Sequence, residues 1–135
     1  MAETETMAEI KTVISGDVTM WKVIGILTYD ELVNVLREFY AGNPTKHVVW
    51  DLSAASLAQI KFEDLEHVAE FVMQYLSSRA GGKTAIVAPD DLGFGLGRIV
   101  DSLAESKDAP IATHTFRNIS DAAKWIGVEA LPVID

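Results

Sequence analysis

Three short β-rich runs, KHVVWDL, KTAIVA and PIATHTF, are separated from one another by stretches of helical periodicity. That strict alternation constrains the fold more than any other feature of the chain. Neighbouring parallel strands need a crossover of about a dozen residues or more, normally a helix, and such crossovers are right-handed. The segment LTYDELVNVLREFYAGNP opens with a capping box, Thr28 and Glu31. It repeats Leu32, Val35, Leu36 and Phe39 at helical spacing and stops at Gly42, Asn43 and Pro44. FEDLEHVAEFVMQYLSSR predicts one long helix, with Leu65, Val68, Ala69, Val72 and Leu76 on one face and Gly81-Gly82 as its stop. Glu63, Asp64 and Glu66 occupy its first turn, where the helix dipole favours acids. Asp90 or Asp91 caps a third helix carrying Leu92, Leu96, Ile99, Val100 and Leu103. SDAAKWIG predicts a short last helix, capped by Ser120 and ended by Gly127. SAASLAQIK reads as a loop. Ahead of all this, IKTVISGDVTMWKVIG holds two β-rich runs around Gly16-Asp17, a dipeptide suited to a tight primed turn, and predicts a hairpin. The expected fold is α/β, ββαβαβαβα, a mixed and mostly parallel sheet with helices packed on it.

At 135 residues without an internal repeat or linker, one domain is expected over residues 10–127. Residues 1–9 read as a flexible N-terminal tail and 128–135 as a C-terminal extension. The extension carries Leu131, Val133 and Ile134, and Pro132 favours an extended backbone before it. An apolar tail of this kind is expected to pack on its own domain or on a second copy of the chain. The absence of cysteine removes disulfides, thiolate nucleophiles and cysteine-based zinc sites together. Twenty acids against 11 bases give a net charge of -9, which repels nucleic-acid backbones and anionic headgroups. The acidic, polar start and the lack of a long apolar run predict a cytoplasmic protein without a membrane span.

APDDLGFGLGRI raises the question of a phosphate site, with Gly93, Gly95 and Gly97 between a strand and a helix. The spacing is G-x-G-x-G rather than the dinucleotide G-x-G-x-x-G, and no Gly-Lys-Ser/Thr follows. Asp90 and Asp91 also stand where a phosphate would sit. No nucleotide or other cofactor is therefore expected. Three helix-interior glycines cost roughly 3 kcal/mol relative to alanine. Gly93 and Gly97 lie four residues apart on one helix face, so a bare strip for close packing against a neighbour, or against a ligand, is the expected compensation.

The element order, together with VVWDLSAAS and AIVAPDDLGFGLGRI, resembles the SpoIIAA-like (STAS-like) proteins, and within them the small stand-alone bacterial branch whose fold is related to CRAL-TRIO lipid carriers. The resemblance covers roughly residues 10–127. It implies a regulatory or binding role in place of catalysis. The best-known members of the family are phosphorylated on a serine in an Asp-Ser-Ser-Gly turn; here the corresponding stretch is SLAQIKFEDLEH, and Ser53 and Ser56 lie upstream of it. The fold carries over and the phosphoacceptor does not, which weakens a partner-switching function.

No catalytic constellation stands out. Asp51 ends a strand but lacks the acids and the lysine of a phosphorylated receiver site. His47, His67 and His114 show no ligand spacing, so no metal is expected. Arg98 has Asp101 three residues on, which suits a surface pair or, alternatively, a pocket rim. Phe71 and Tyr75 flank the apolar stripe of their helix, as a wide buried face, a pocket wall or a dimer contact. In open α/β sheets ligands bind beyond the carboxyl ends of the strands. That places Asp51, Ser53, Ser56, Phe62, Asp91, Phe94 and Arg117 around an expected pocket, with simple loop closure as the alternative. The chain thus reads as a non-enzymatic binding or regulatory module, its partner a small apolar ligand or a protein, a second copy of itself included.

Overall fold

The computed structural model describes residues 8–134. Five strands form one sheet in the order β1-β2-β3-β4-β5: β1 (Ala8–Ser15), β2 (Val18–Ile26), β3 (His47–Ser56), β4 (Lys83–Val87) and β5 (Ala112–Phe116). β1 pairs antiparallel with β2, and every later pairing is parallel. Gly16, at φ +58°, turns the hairpin between paired Ser15 and Val18. Of the expected tail 1–9, residues 1–7 lie outside the described residues, and Ala8 and Glu9 already stand in β1.

The helices are α1 (Tyr29–Ala41), α2 (Phe62–Met73), α3 (Asp91–Ser106) and α4 (Ile119–Ile126). Because the parallel strands run in sequential order, right-handed crossovers must put α1, α2 and α3 on one face of the sheet. The period-two alternation of the strands then splits the core. Trp21, Val23, Val48, Trp50 and Ile86 face Leu36 of α1 and Leu65 of α2. Met20, Val49, Ala85 and Val87 face Ala122 and Ile126 of α4 on the other side, and Ile134 near the chain end joins them. The Thr28–Glu31 capping box forms as expected. The second oxygen of Glu31 also accepts the Ala8 N–H at 3.1 Å, tying the start of β1 to α1.

Three elements differ from the sequence reading. SAAS is strand, because β2 is long enough to pair with it: Ile24, Gly25 and Ile26 face Ala54, Ala55 and Ser56. The ladder absorbs a bulge on the way, β3 advancing from Asp51 to Ala54 while β2 advances from Lys22 to Ile24. The expected single helix from Phe62 through Arg79 divides into α2 and a 3-10 turn, Leu76–Arg79. Residues three apart eclipse in a 3-10 turn, which points Leu76 and Arg79 inward together. Ser78 reinforces the break by donating its hydroxyl to the Tyr75 carbonyl at 2.8 Å. Finally, α4 is capped by Asn118 rather than Ser120: the Asn118 side-chain oxygen accepts the Asp121 N–H at 2.9 Å, and its amide donates to the Asp121 carboxylate at 3.2 Å.

Candidate functional site

α3 starts where Asp90 accepts the Gly93 N–H at 2.6 Å, so the capping carboxylate occupies an amide that a phosphate would need. Gly97 explains the glycine spacing. A Cβ there would stand 2.5 Å from Thr115 Oγ1 and 2.6 Å from its Cγ2, so α3 lies against β5 at a distance only glycine allows. A Cβ on Gly93 would meet the Ala88 Cβ and the Asp90 carboxylate at 3.0 Å each. Gly95 faces open space. Thr115 is fixed in turn by donating to Asp101 Oδ2 at 3.0 Å. Asp101 therefore serves the α3–β5 contact and does not form the expected pair with Arg98.

Of the residues expected around the strand ends, Asp91, Phe94 and Arg117 form one group. The Arg117 guanidinium lies 4.0 Å over the Phe94 ring and bonds Asp91 at 3.0 Å and the Pro89 carbonyl at 2.9 Å. This group is solvent-exposed, a setting in which an ion pair contributes little. Asp51 accepts the Ser53 N–H at 3.0 Å in a local turn at the bulge. Ser56 accepts the Ala58 N–H, and Phe62 is half exposed. Among the described residues no hydrogen bond or ring contact joins Ser56 or Phe62 to Asp51 and Ser53, or any of the four to the Arg117 group.

Apolar clefts lie elsewhere, between the sheet and the helices that cross it, while the larger concavities, of about 470 and about 370 Å3, are more polar and lie along Arg98, Asp101 and His114 and along Thr12, Thr19 and Glu38. Two clefts, of about 110 and about 120 Å3, share Leu36, Trp50, Leu65, Val68, Thr84 and Val100. The second reaches toward the carboxyl ends of the strands and includes Leu27, Leu57, Ile60 and Gly97. The first reaches toward the amino ends, past Val72, Leu76 and Leu103, and finishes at Arg79, Lys107 and Thr113. Each is somewhat smaller than the ~150 Å3 cavity that holds a benzene molecule, and the two share walls. Of the residues expected at the pocket or in the glycine strip, Gly97 alone lines either cleft. Phe71 and Tyr75 sit outside both, Tyr75 stacked on Tyr40 with ring centroids 5.8 Å apart. Arg79 was missed because LSSR looks like a helix end on the surface; only the 3-10 turn brings it inside.

At the amino ends of the strands, His47 accepts the Lys83 N–H on Nδ1 at 3.1 Å. Burial, above all, holds its pKa below the ordinary histidine value; the nearby Asp17 charge opposes that shift, and Lys46, Lys83 and Arg79 add to it. Among the described residues no group of three His, Asp or Glu could hold a metal ion, and no helix is long and apolar enough to cross a membrane.

A mixed five-stranded sheet with three crossovers on one face and a terminal helix on the other defines a SpoIIAA-like fold. The chain is similar in structure to an uncharacterized protein of the DUF3478 family with a SpoIIAA-like fold from Shewanella loihica PV-4: the TM-score is 0.55 at 17% identity, covering 93% of this chain and 98% of that one. At that identity the likeness shows the fold alone. No protein-family model and no curated protein matches the chain.

Proposed function

We propose that this protein is a non-enzymatic binding module, and that a small apolar or amphipathic molecule seats between its sheet and α2. The observation that carries this reading is the pair of apolar clefts walled by Trp50, Leu65, Val68 and Val100, in a layer that a protein of this size ordinarily fills with side chains. Binding sites for small molecules have this chemistry, mostly apolar with a few polar groups at fixed points. The polar lining consists of Thr84, Thr113, Tyr40, Arg79 and Lys107, with no carboxylate or imidazole among the described residues. Such a lining supports binding over turnover, since acid–base or nucleophilic catalysis needs a nucleophile and a base within hydrogen-bond reach.

The test is native mass spectrometry of the protein as purified, followed by titration of the stripped protein with an environment-sensitive apolar dye. A co-purifying small molecule, or saturable dye binding competed by alkanes or alcohols, is the expected result. Folded protein that carries no small molecule and binds no dye would overturn the reading in favour of a protein-interaction module.

A further inference from the structure

The cleft toward the amino ends of the strands is apolar along its walls and cationic at one end. The Arg79 side chain is only 3% exposed. Its Nε donates to the Lys46 carbonyl at 3.2 Å and its Nη1 to the Tyr40 hydroxyl at 3.0 Å. Its Nη2 donates to the Lys83 carbonyl at 3.1 Å and to Thr84 Oγ1 at 2.9 Å. Those bonds use four of the five guanidinium hydrogens, every one on a neutral acceptor, and leave one on Nη1. No carboxylate pairs with Arg79 among the described residues. A buried charge ordinarily has an opposite charge beside it, so this guanidinium is a cation held in place without its anion.

Two neighbours point the same way. Thr113 stands opposite Thr84 in the β4–β5 register, one strand spacing away on the same face. Its Oγ1 is buried and has no partner among the described residues. Such orphaned hydroxyls are rare in folded proteins and commonly mark a missing ligand or water. Lys107, at the C-terminal end of α3, lines the same cleft, and its ammonium has no partner among the described residues. Two cations and an unpartnered hydroxyl thus stand at one end of an apolar cleft whose lining holds no carboxylate, Asp101 of α3, with its own buried free oxygen, bonding Thr115 outside that lining.

We propose that this end is a carboxylate-binding subsite and that the ligand is a monocarboxylic acid with an apolar tail of medium length. The inference rests on the reading that the clefts take an apolar or amphipathic ligand. A carboxylate has two oxygens, one for the remaining guanidinium hydrogen and one for the Thr113 hydroxyl of the same cleft. A phosphate would bring three terminal oxygens to a guanidinium that has one hydrogen left. The tail extends along Val68, Val72 and Leu103 into the adjoining cleft, whose shared walls make the two continuous in lining.

The test is calorimetric titration of the stripped wild-type protein with octanoate and with 1-octanol, equal in chain length and different in head group. Octanoate is expected to bind about ten-fold tighter, the effect of one added charge-assisted hydrogen bond. Arg79 also holds the 3-10 turn, so the variants are placed beside it: Thr113→Val and Lys107→Met should each weaken octanoate several-fold more than 1-octanol. Equal affinity for the two probes, or octanoate binding that neither variant weakens, would overturn the carboxylate subsite and leave the apolar reading standing. Failure of both probes in a protein that also binds no apolar dye would overturn both.

Discussion

Gly97 and Gly95 sit in the same turn of α3 and differ in one respect, what a methyl group would touch. At Gly97 it would strike Thr115, which is buried, β-branched and bonded to Asp101, so the neighbour cannot give way. At Gly95 it would meet nothing within 4 Å. Replacing glycine by alanine in a helix gains about 1 kcal/mol from propensity. Overpacking a buried contact typically loses 1–3 kcal/mol, which outweighs that gain. Gly97→Ala is therefore expected to destabilise the protein by roughly 1 kcal/mol and Gly95→Ala to stabilise it by about the same amount. Urea denaturation of the two single variants reads both signs; a gain for Gly97→Ala would mean that α3 does not rest on Thr115. The i, i+4 glycine spacing made this contact legible in the sequence. Arg79 and Thr113 were not legible, because a buried cation without its anion and a hydroxyl without its partner are defined by neighbours from other elements.

Among whole elements, hydrophobic period located the five strands and the four α-helices, and the errors fell where a partner element decides. SAAS has loop composition, yet the length of β2 draws it into the ladder. The apolar stripe of α2 continues into Leu76, yet the chain tightens there to bring Leu76 and Arg79 inward. At α4 two residues could cap, and Asn118 wins because it places Asp121 three residues on, where the acid returns a bond and faces the positive end of the helix. Asn118→Ala should accordingly cost about 1 kcal/mol. Ser120→Ala should change stability by less than ~0.5 kcal/mol, as for an ordinary surface position. Thermal melts of both variants check the assignment, and a larger loss from Ser120→Ala would restore the cap first read from the sequence. The expected site depends on partner elements in the same way. Rules for open sheets point to the carboxyl ends of the strands, which one cleft approaches, whereas the other runs under α2 toward the amino ends, set by how far a helix stands from strands that carry no sign of it.

Across the whole molecule, sequential strand order creates an asymmetry: three helices cover one face, and the eight-residue α4 is the helix on the other. α4 lies over β4 and β5 and reaches β3, so the β1–β2 side of that face needs other cover. The segment after Gly127 supplies it. Gly127 turns the chain at φ +101°, Leu131 packs against the second core cluster, and Ile134 is buried within it beside Val18 and Met20. Lys22 fixes the end by donating its ammonium to the Ile134 carbonyl at 2.9 Å. Residues 128–134 thus complete the second layer from within the same chain. Burying a large aliphatic side chain contributes about 1.5–3 kcal/mol, so ending the chain after Val128 should remove a few kcal/mol and lower Tm by roughly 5 °C or more. Val133 is the internal control. It is 89% exposed, and Val133→Ser should leave Tm unchanged. Ile134→Ser should reproduce a large part of the truncation's loss, because the fixed backbone would then present a hydroxyl to an apolar site. Differential scanning calorimetry of the three variants distinguishes a structural cover from a loose end: equal melting temperatures for the truncation and the full chain would show that α4 alone closes this face.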